Sequence, residues 1–537
     1  MIGGRRTAHV VALACALWVA AGHAQNGRQP AARFQVVEAS VADIHAAFAR
    51  GTLTARALTQ QYLDRIEAYD QRGPSLNSII TINPHALEDA ARLDAQFKRT
   101  GPVGPLHGIP ILVKDEIDTA GMPTTLGTLV FRDYRPPADA FVVARLRKAG
   151  AIILGKTTLS EFAAGDAYGS MFGATRNPYD LSRTAGGSSG GSGAALAANL
   201  SALAIGEETA ASIRRPGGWN ALVTLRPTPG LVSRTGMWDG YPTTAAQMGP
   251  MARTVTDLAT LLDAMVGYDP DDPLTALGVN VKHAPYTRYL RRDGLKGARI
   301  GVIRDLLGNA SDPASVEFKA VDTVFARNVV ELKAAGATVI DPLVIPDLKK
   351  LLAVRATNPE LADEAMALYL SRTPEWPLRT REAIGSHPDM DKAMPPSKAT
   401  QWRSRPAKTD WAQWGAYLRA REQLTINIAK VMADNRLDAI VHKTVEIPPV
   451  AIAEAINPPY RSGADYVSTL NTFLVFAASM TVPSGFTDTG LPAGITFFGP
   501  AYSEPTLLTL AYAYEQATHH RAPPKTTPPL GTRAATN

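Results

Sequence analysis

The chain has 537 residues, 45% of them hydrophobic and 19% charged, which is ample core material and excludes a disordered or fibrous protein. The formal net charge is +6, but no run of Lys or Arg is longer than two residues, so the clustered basic surface of a nucleic-acid binder is missing. Cys15 is the only cysteine, so any exported mature form has neither disulfides nor thiol chemistry.

The first residues, MIGGRRTAHVVALACALWVAAGHAQ, place Arg5 and Arg6 ahead of an apolar run from Ala8 to Ala21 that is too short to span a bilayer. Gly22 and Ala24 supply small residues at the positions a signal peptidase reads, so residues 1–24 are expected to be a cleaved export signal. A short membrane anchor and a lipoprotein at Cys15 are the alternatives. Residues 25–35 read as a disordered lead-in. The mature protein is expected in the periplasm or secreted, with no further membrane span.

Val41, Ile44, Phe48, Leu58, Tyr62 and Ile66 have helical spacing, and a further helix is expected from His85 to about Phe97. From Leu106 onward, strand-like GIPILVK and AIILGK flank the helical DAFVVARLRKAG. Strand-like runs return at ARIGVIRD, ATVIDP and LDAIVHK, whereas 346–435 reads as helices and loops. This alternation predicts an α/β fold in one large domain, 36–522, whose mixed, mostly parallel twisted sheet is covered by helices on both faces. The Pro/Thr-rich end, 523–537, reads as a disordered tail.

TAGGSSGGSGAAL, residues 184–196, packs five glycines and three serines ahead of a helix-forming segment. A linker would have to separate independent halves, and the alternation runs through it. A P-loop needs a lysine that is missing, and the glycines do not fit a dinucleotide fingerprint. Gly-x-Ser-x-Gly matches in two registers around Ser188 and Ser189. That elbow follows a strand, and RNPYDLSRTA reads as a turn-rich approach. A Ser-His-Asp triad would also draw on His283, His387, His442, His519 or His520, none of which sits in a distinctive loop.

Two more segments bear on the serines. GIPILVKDEIDTAG ends an apolar strand at Lys114, and IGEETAASIRRPGGWNALVTL places Ser212 in a second small-residue turn. With GKTTLSEFA and RNPYDLSRTAGGSSGGS in the same order, these segments resemble the amidase signature family of Ser-Ser-Lys amide hydrolases. The resemblance covers residues 36–270 and returns at TVPSGFTDTGLPAGITFFGPAYSEPTLLTLAYAYEQAT. The variable stretch 280–460 is expected to build the substrate pocket. The C-terminal stretch and GLVSRTG look most like the peptide amidases, which remove ammonia from C-terminal amides.

The resemblance implies that Ser212 is the nucleophile, Ser188 the bridging serine on a cis peptide, and Lys114 the lysine of the relay. A serine hydroxyl needs a base to become nucleophilic. Lys114 must be neutral for that role, which burial favours and which Asp115 and Glu116 would oppose if they pointed the same way. No metal or organic cofactor is needed, and the expected partner is a small-molecule or peptide amide, not nucleic acid. The N–H groups of Thr209, Ala210, Ala211 and Ser212 are expected to form the oxyanion hole. The family commonly has Gly-Gly or Asp-Gly where this chain has Ala210-Ala211, so strain is expected if either position needs positive φ.

Among supporting residues, Ser189 is expected to hydrogen-bond within its loop or to be a plain turn serine. Arg214 is expected to pair with Glu208. Arg215 is either solvated or lines the entrance, and Glu161 and Asp166 have structural roles. Trp376, Trp402, Trp411 and Trp414 serve core packing or an apolar acyl pocket. A different class of reading is an idle binding or scaffold protein that kept the fold. The family's tRNA-dependent amidotransferases are disfavoured because export would separate the protein from aminoacyl-tRNA.

Overall fold

The computed structural model describes residues 34–281, 285–394, 402–468, 470–474 and 476–531, so the expected export signal, most of the lead-in and His283 lie outside it. Eleven strands form one sheet: β1 Ile79–Ile82, β2 Pro110–Lys114, β3 Ile152–Thr157, β4 Leu203–Glu208, β5 Val223–Arg226, β6 Gln247–Ala252, β7 Arg299–Val302, β8 Thr338–Ile340, β9 Ala439–Lys443, β10 Ala478–Phe486 and β11 Pro492–Gly499. Their order is β1-β3-β2-β4-β6-β5-β10-β11-β9-β7-β8. The expected mixed sheet is present, but its parallel pairings are confined to β3-β2-β4 and β9-β7-β8. The other junctions are antiparallel, which corrects the expected parallel majority. The hairpin of β10 and β11 fixes the sheet's middle, because strands joined by a tight turn must run in opposite directions.

Strand alternation separates the two faces. Thr224, Thr481 and Thr496 fall on one face, against the short helix Arg214–Trp219, whose Gly217 comes so near that a Cβ would lie 2.6 Å from Thr224 Oγ1. Leu225, Met480 and Phe497 fall on the other face and join the apolar cluster that contains Leu507, Leu508 and Ala511 of the helix Glu504–Thr518. The expected helix between β2 and β3 forms at Phe141–Lys148, where Val142, Val143 and Leu146 are buried. Among the described residues, no helix is long and apolar enough to cross a membrane.

Two sequence expectations are corrected. RNPYDLSRTA, read as turns, contains a two-stranded ribbon of Arg176–Asn177 and Asp180–Thr184. Its polar side chains hid it, since alternation there does not mark an apolar face. The expected disordered tail is tied down as far as Pro528. Buried Arg65 donates to the carbonyls of Thr527 and Pro528, both at 2.9 Å, and to those of Ala198 and Asn199 at 2.8 and 2.9 Å. Deleting residues 523–537 leaves this guanidinium without two of its four acceptors. The deletion is expected to lower unfolding stability by about 2–3 kcal/mol, read as a shift in the urea midpoint.

Candidate active site

β2 and β4 are parallel neighbours, with Val113 opposite Ile205, so their C-terminal ends meet on one side of the sheet. Lys114 ends β2, and Glu207 and Glu208 end β4. The Gly/Ser stretch enters beneath them as a loop followed by the helix Gly190–Ala197. Its glycines serve close approach: at Gly191 a Cβ would lie 2.3 Å from Thr158 Oγ1, and Gly186 has φ +81°. The Gly187–Ser188 peptide is cis.

Lys114 Nζ donates to Ser188 Oγ at 2.6 Å, and both side chains are fully buried. The backbone N–H of Ser189 donates to the Ser212 carbonyl at 3.1 Å, which ties the serine-rich loop to the second serine turn. Ser189 Oγ donates to the Glu207 carbonyl at 3.0 Å, so this serine hydrogen-bonds between loop and strand. Among the described residues, no protein acceptor takes the N–H groups of Thr209, Ala210, Ala211 or Ser212. Neither alanine has positive φ, so the strain expected of Ala210-Ala211 does not arise.

Glu208 organises the far side of that turn. Its Oε1 accepts from Arg214 Nε at 2.8 Å, and its Oε2 from the N–H groups of Ile213 and Arg214 at 3.0 and 2.9 Å. Arg215 is buried, not solvated, and its cavity-lining position agrees with the second of its two expected placements. It donates to the carbonyls of Gly187 and Gly165 at 3.1 and 2.7 Å and pairs with Asp166 at 3.1 Å. Glu161 accepts from Ser170 Oγ at 2.5 Å and the N–H of Met394 at 2.6 Å.

The charge state expected of Lys114 is corrected. Asp115 points away, toward Lys156 at 3.3 Å and the N–H of Thr125 at 2.9 Å. Glu116 comes back toward Lys114, with Oε1 at 2.7 Å from Nζ, because β2 ends at Lys114 and the chain turns at once, the Ile117 N–H donating to the Lys114 carbonyl at 3.0 Å. Glu207, which sequence reasoning missed, adds a second carboxylate at 2.8 Å. Burial disfavours the ammonium, but Glu116 and Glu207 outweigh it and hold the Lys114 pKa above its ordinary value.

A cavity of about 530 Å³ opens at Ser212 and the 209–211 turn. Its apolar wall includes Phe162, Trp238, Met366 and Trp402. Phe162 stacks on Trp402 with ring centroids 4.4 Å apart, and it is held at φ +54°, a costly conformation for an aromatic residue. The four expected tryptophans therefore divide. Trp402 lines the cavity, Trp376 packs behind it at 5.6 Å from Phe131, Trp414 joins a separate core, and Trp411 is exposed. Phe162 and Trp238 were missed, since an aromatic residue in a loop carries no local sign of what it faces.

The nucleophile elbow now has its strand and helix, but Ser188 meets a lysine where that mechanism needs a histidine. His442 is buried with Nδ1 at 2.7 Å from the Lys443 carbonyl, and burial pushes its pKa down to about 3. His520 pairs with Glu331, and His387 caps its own short helix.

This arrangement, an α/β sheet carrying a buried lysine–serine pair beside an unengaged row of N–H donors, belongs to a class of serine-dependent acyl-transfer sites. Comparison with known proteins narrows the class. The Amidase family matches residues 57–508. The chain is 33% identical over 498 residues to a glutamyl-tRNA(Gln) amidotransferase component of Symbiobacterium thermophilum, covering 91% of this chain and 99% of that protein. A probable amidase of Arabidopsis thaliana is 33% identical over 516 residues, covering 92% of each. Among solved structures, the native peptide amidase of Stenotrophomonas maltophilia superposes with a TM-score of 0.79 at 35% identity, covering 91% of this chain and 98% of that one. The chain belongs to the amidase signature family, and it is an enzyme acting on amide carbon–nitrogen bonds.

Proposed function

We propose that the protein is an exported amidase that forms an acyl-enzyme on Ser212, with Ser188 and Lys114 as the proton relay. The observation that carries this reading is the 2.6 Å contact between Lys114 Nζ and Ser188 Oγ, in a loop bonded to Ser212 at the cavity wall. Ser212 Oγ attacks the amide carbonyl while its proton moves to Ser188 and that of Ser188 moves toward Lys114. The N–H groups of residues 209–212 meet the oxyanion. The proton returns along the same line to the leaving amine, the C–N bond breaks, and water hydrolyses the ester by the reverse route.

Peptide C-terminal amides are the substrates to try first, because the likeness to the Stenotrophomonas maltophilia peptide amidase spans nearly the whole chain. Export to the periplasm or beyond is supported by the composition of residues 1–24 and argues against a role on aminoacyl-tRNA, despite the amidotransferase relatives. The test treats mature protein with a fluorophosphonate and maps the adduct by peptide mass spectrometry. The expected adduct lies on Ser212 and weakens in Lys114→Ala. An adduct on Ser188 restores the nucleophile elbow, and no adduct on folded protein favours an idle scaffold.

A further inference from the structure

Lys114 stands between two buried carboxyl groups, at 2.7 Å from Glu116 Oε1 and 2.8 Å from Glu207 Oε2. Both carboxyl groups lie against one ammonium, and two ionised carboxylates there would leave the buried triad with a net negative charge, so one of the two keeps its proton. An ammonium, one carboxylate and one carboxylic acid make a neutral buried triad. The surroundings say which is which. Burial raises Glu116 well above the usual carboxylate range, against the pull of Lys114. Burial also works against the charge of Glu207, but Lys114 and the hydrogen bond from Thr209 Oγ1 at 2.8 Å hold it below that range. Glu207 is thus the carboxylate, Glu116 the acid and Lys114 the cation.

A cationic lysine has no lone pair for the Ser188 proton. It can take that proton only by giving up one of its own. We propose that Glu207, the ionised member of the pair, is the group that finally holds the Ser212 proton, with Lys114 passing it on. This rests on the reading of Ser212 as nucleophile. As the bond between Ser212 Oγ and the carbonyl carbon forms, the Ser212 proton goes to Ser188 Oγ, the Ser188 proton to Lys114 Nζ, and a Lys114 proton to Glu207 Oε2. Lys114 remains an ammonium throughout, and the new negative charge sits on the oxyanion. When the C–N bond breaks, Glu207 returns its proton through Lys114 and Ser188 to the amine nitrogen. Water later repeats the cycle on the ester, so no other reactant is required. Glu207 acts through Lys114 and is therefore a positioning residue.

The other charged groups facing the triad are few. Asp239, pushed up to about 6 by burial with Arg405 acting against it, interacts with both Glu207 and Lys114. Arg226 on β5 faces Glu207 and the Glu208–Arg214 pair. Asp115 is occupied by Lys156 on the far side of β2.

The pH dependence separates this relay from one that ends on a neutral lysine. If Glu207 holds the proton, activity is lost only as pH falls far enough to protonate the carboxyl pair. If Lys114 is itself the base, activity is lost as pH falls through a lysine pKa. The experiment measures the rate of fluorophosphonate labelling at Ser212, and kcat/KM on a peptide amide, against pH. In the wild type the acid limb is expected below about pH 6, and a limb above about pH 7 would overturn the proposal without any variant. Glu207→Gln leaves Glu116 as a partial substitute, so the decisive variant is Glu116→Gln/Glu207→Gln. Its labelling is expected to fall about 100-fold at pH 6–7, with the acid limb moved upward by at least about one unit. A double variant that keeps the wild-type limb and rate within about threefold would make the pair merely structural. A wild type with no adduct on Ser212 would overturn the nucleophile reading, and this proposal with it. Labelling at Ser212 with a high acid limb overturns the carboxyl pair alone.

Discussion

Ser212→Ala is expected to lower kcat/KM on a peptide C-terminal amide by at least about 10⁴-fold while leaving the fold intact. On the proposed mechanism the loss should be near total, because the change removes the atom proposed to bond to the substrate, and the remaining N–H donors stabilise an oxyanion only after something has attacked. The fold should survive because Ser212 contributes a backbone carbonyl to Ser189, which alanine keeps. Ser188→Ala and Lys114→Ala are expected to cost about 10³-fold or more each, since each breaks the same line of proton transfer. The three losses should not add. Once Ser212 is gone, removing Ser188 or Lys114 changes nothing further, and the triple variant should match Ser212→Ala. The measurement is kcat/KM for the singles and the triple, with circular dichroism as the check on folding. Additive losses would mean the three residues do not act as a unit. A Ser212→Ala protein that kept about a tenth of the activity would exclude it as the nucleophile.

Much of this site was legible in local sequence, and the limits have physical causes. Lys114 at the end of an apolar run, the glycines around Ser188 and the small-residue turn at Ser212 all lie within motifs of a dozen residues. β2, β3 and the helix between them announced themselves by apolar runs and spacing. Sheet order was not legible in this way. Thr224 of β5 pairs with Thr481 of β10, across more than half of the remaining chain, and no local pattern encodes that partner. Glu116 was legible in part. Both acids after Lys114 were weighed against its neutrality, but β2 ends at Lys114 and the chain turns there, so no alternation told which of the two would face it. Glu207 needed more, because its contact with Lys114 exists only once β4 is known to lie beside β2 in parallel register.

Glu208→Gln is expected to produce the largest stability loss of any single change near the site. Glu208 and Arg214 are both fully buried, and their Nε–Oε1 contact is 2.8 Å. The second carboxylate oxygen caps the helix Arg214–Trp219 by accepting two backbone N–H groups. Glutamine keeps the length and one acceptor oxygen but leaves the Arg214 cation without a counter-charge in a dry setting, at a cost of about 3–5 kcal/mol. The damage should reach function as well. Residues 209–212 bridge Glu208 and this helix, so the proposed oxyanion donors are positioned from both ends by the same carboxylate. The expected kinetic signature is a fall in kcat exceeding any rise in KM, because the donors act on the transition state. Urea unfolding measures the first effect and steady-state kinetics the second. Glu208→Met/Arg214→Met supplies the control, since removing both charges avoids the orphaned cation and should recover part of the lost stability without restoring kcat. A Glu208→Gln protein within about 1 kcal/mol of wild type would show that the pair is worth no more than a surface ion pair. The single oxygen that accepts the Ile213 and Arg214 N–H groups, which glutamine keeps, and not the charge would then be what holds the 209–212 turn in place.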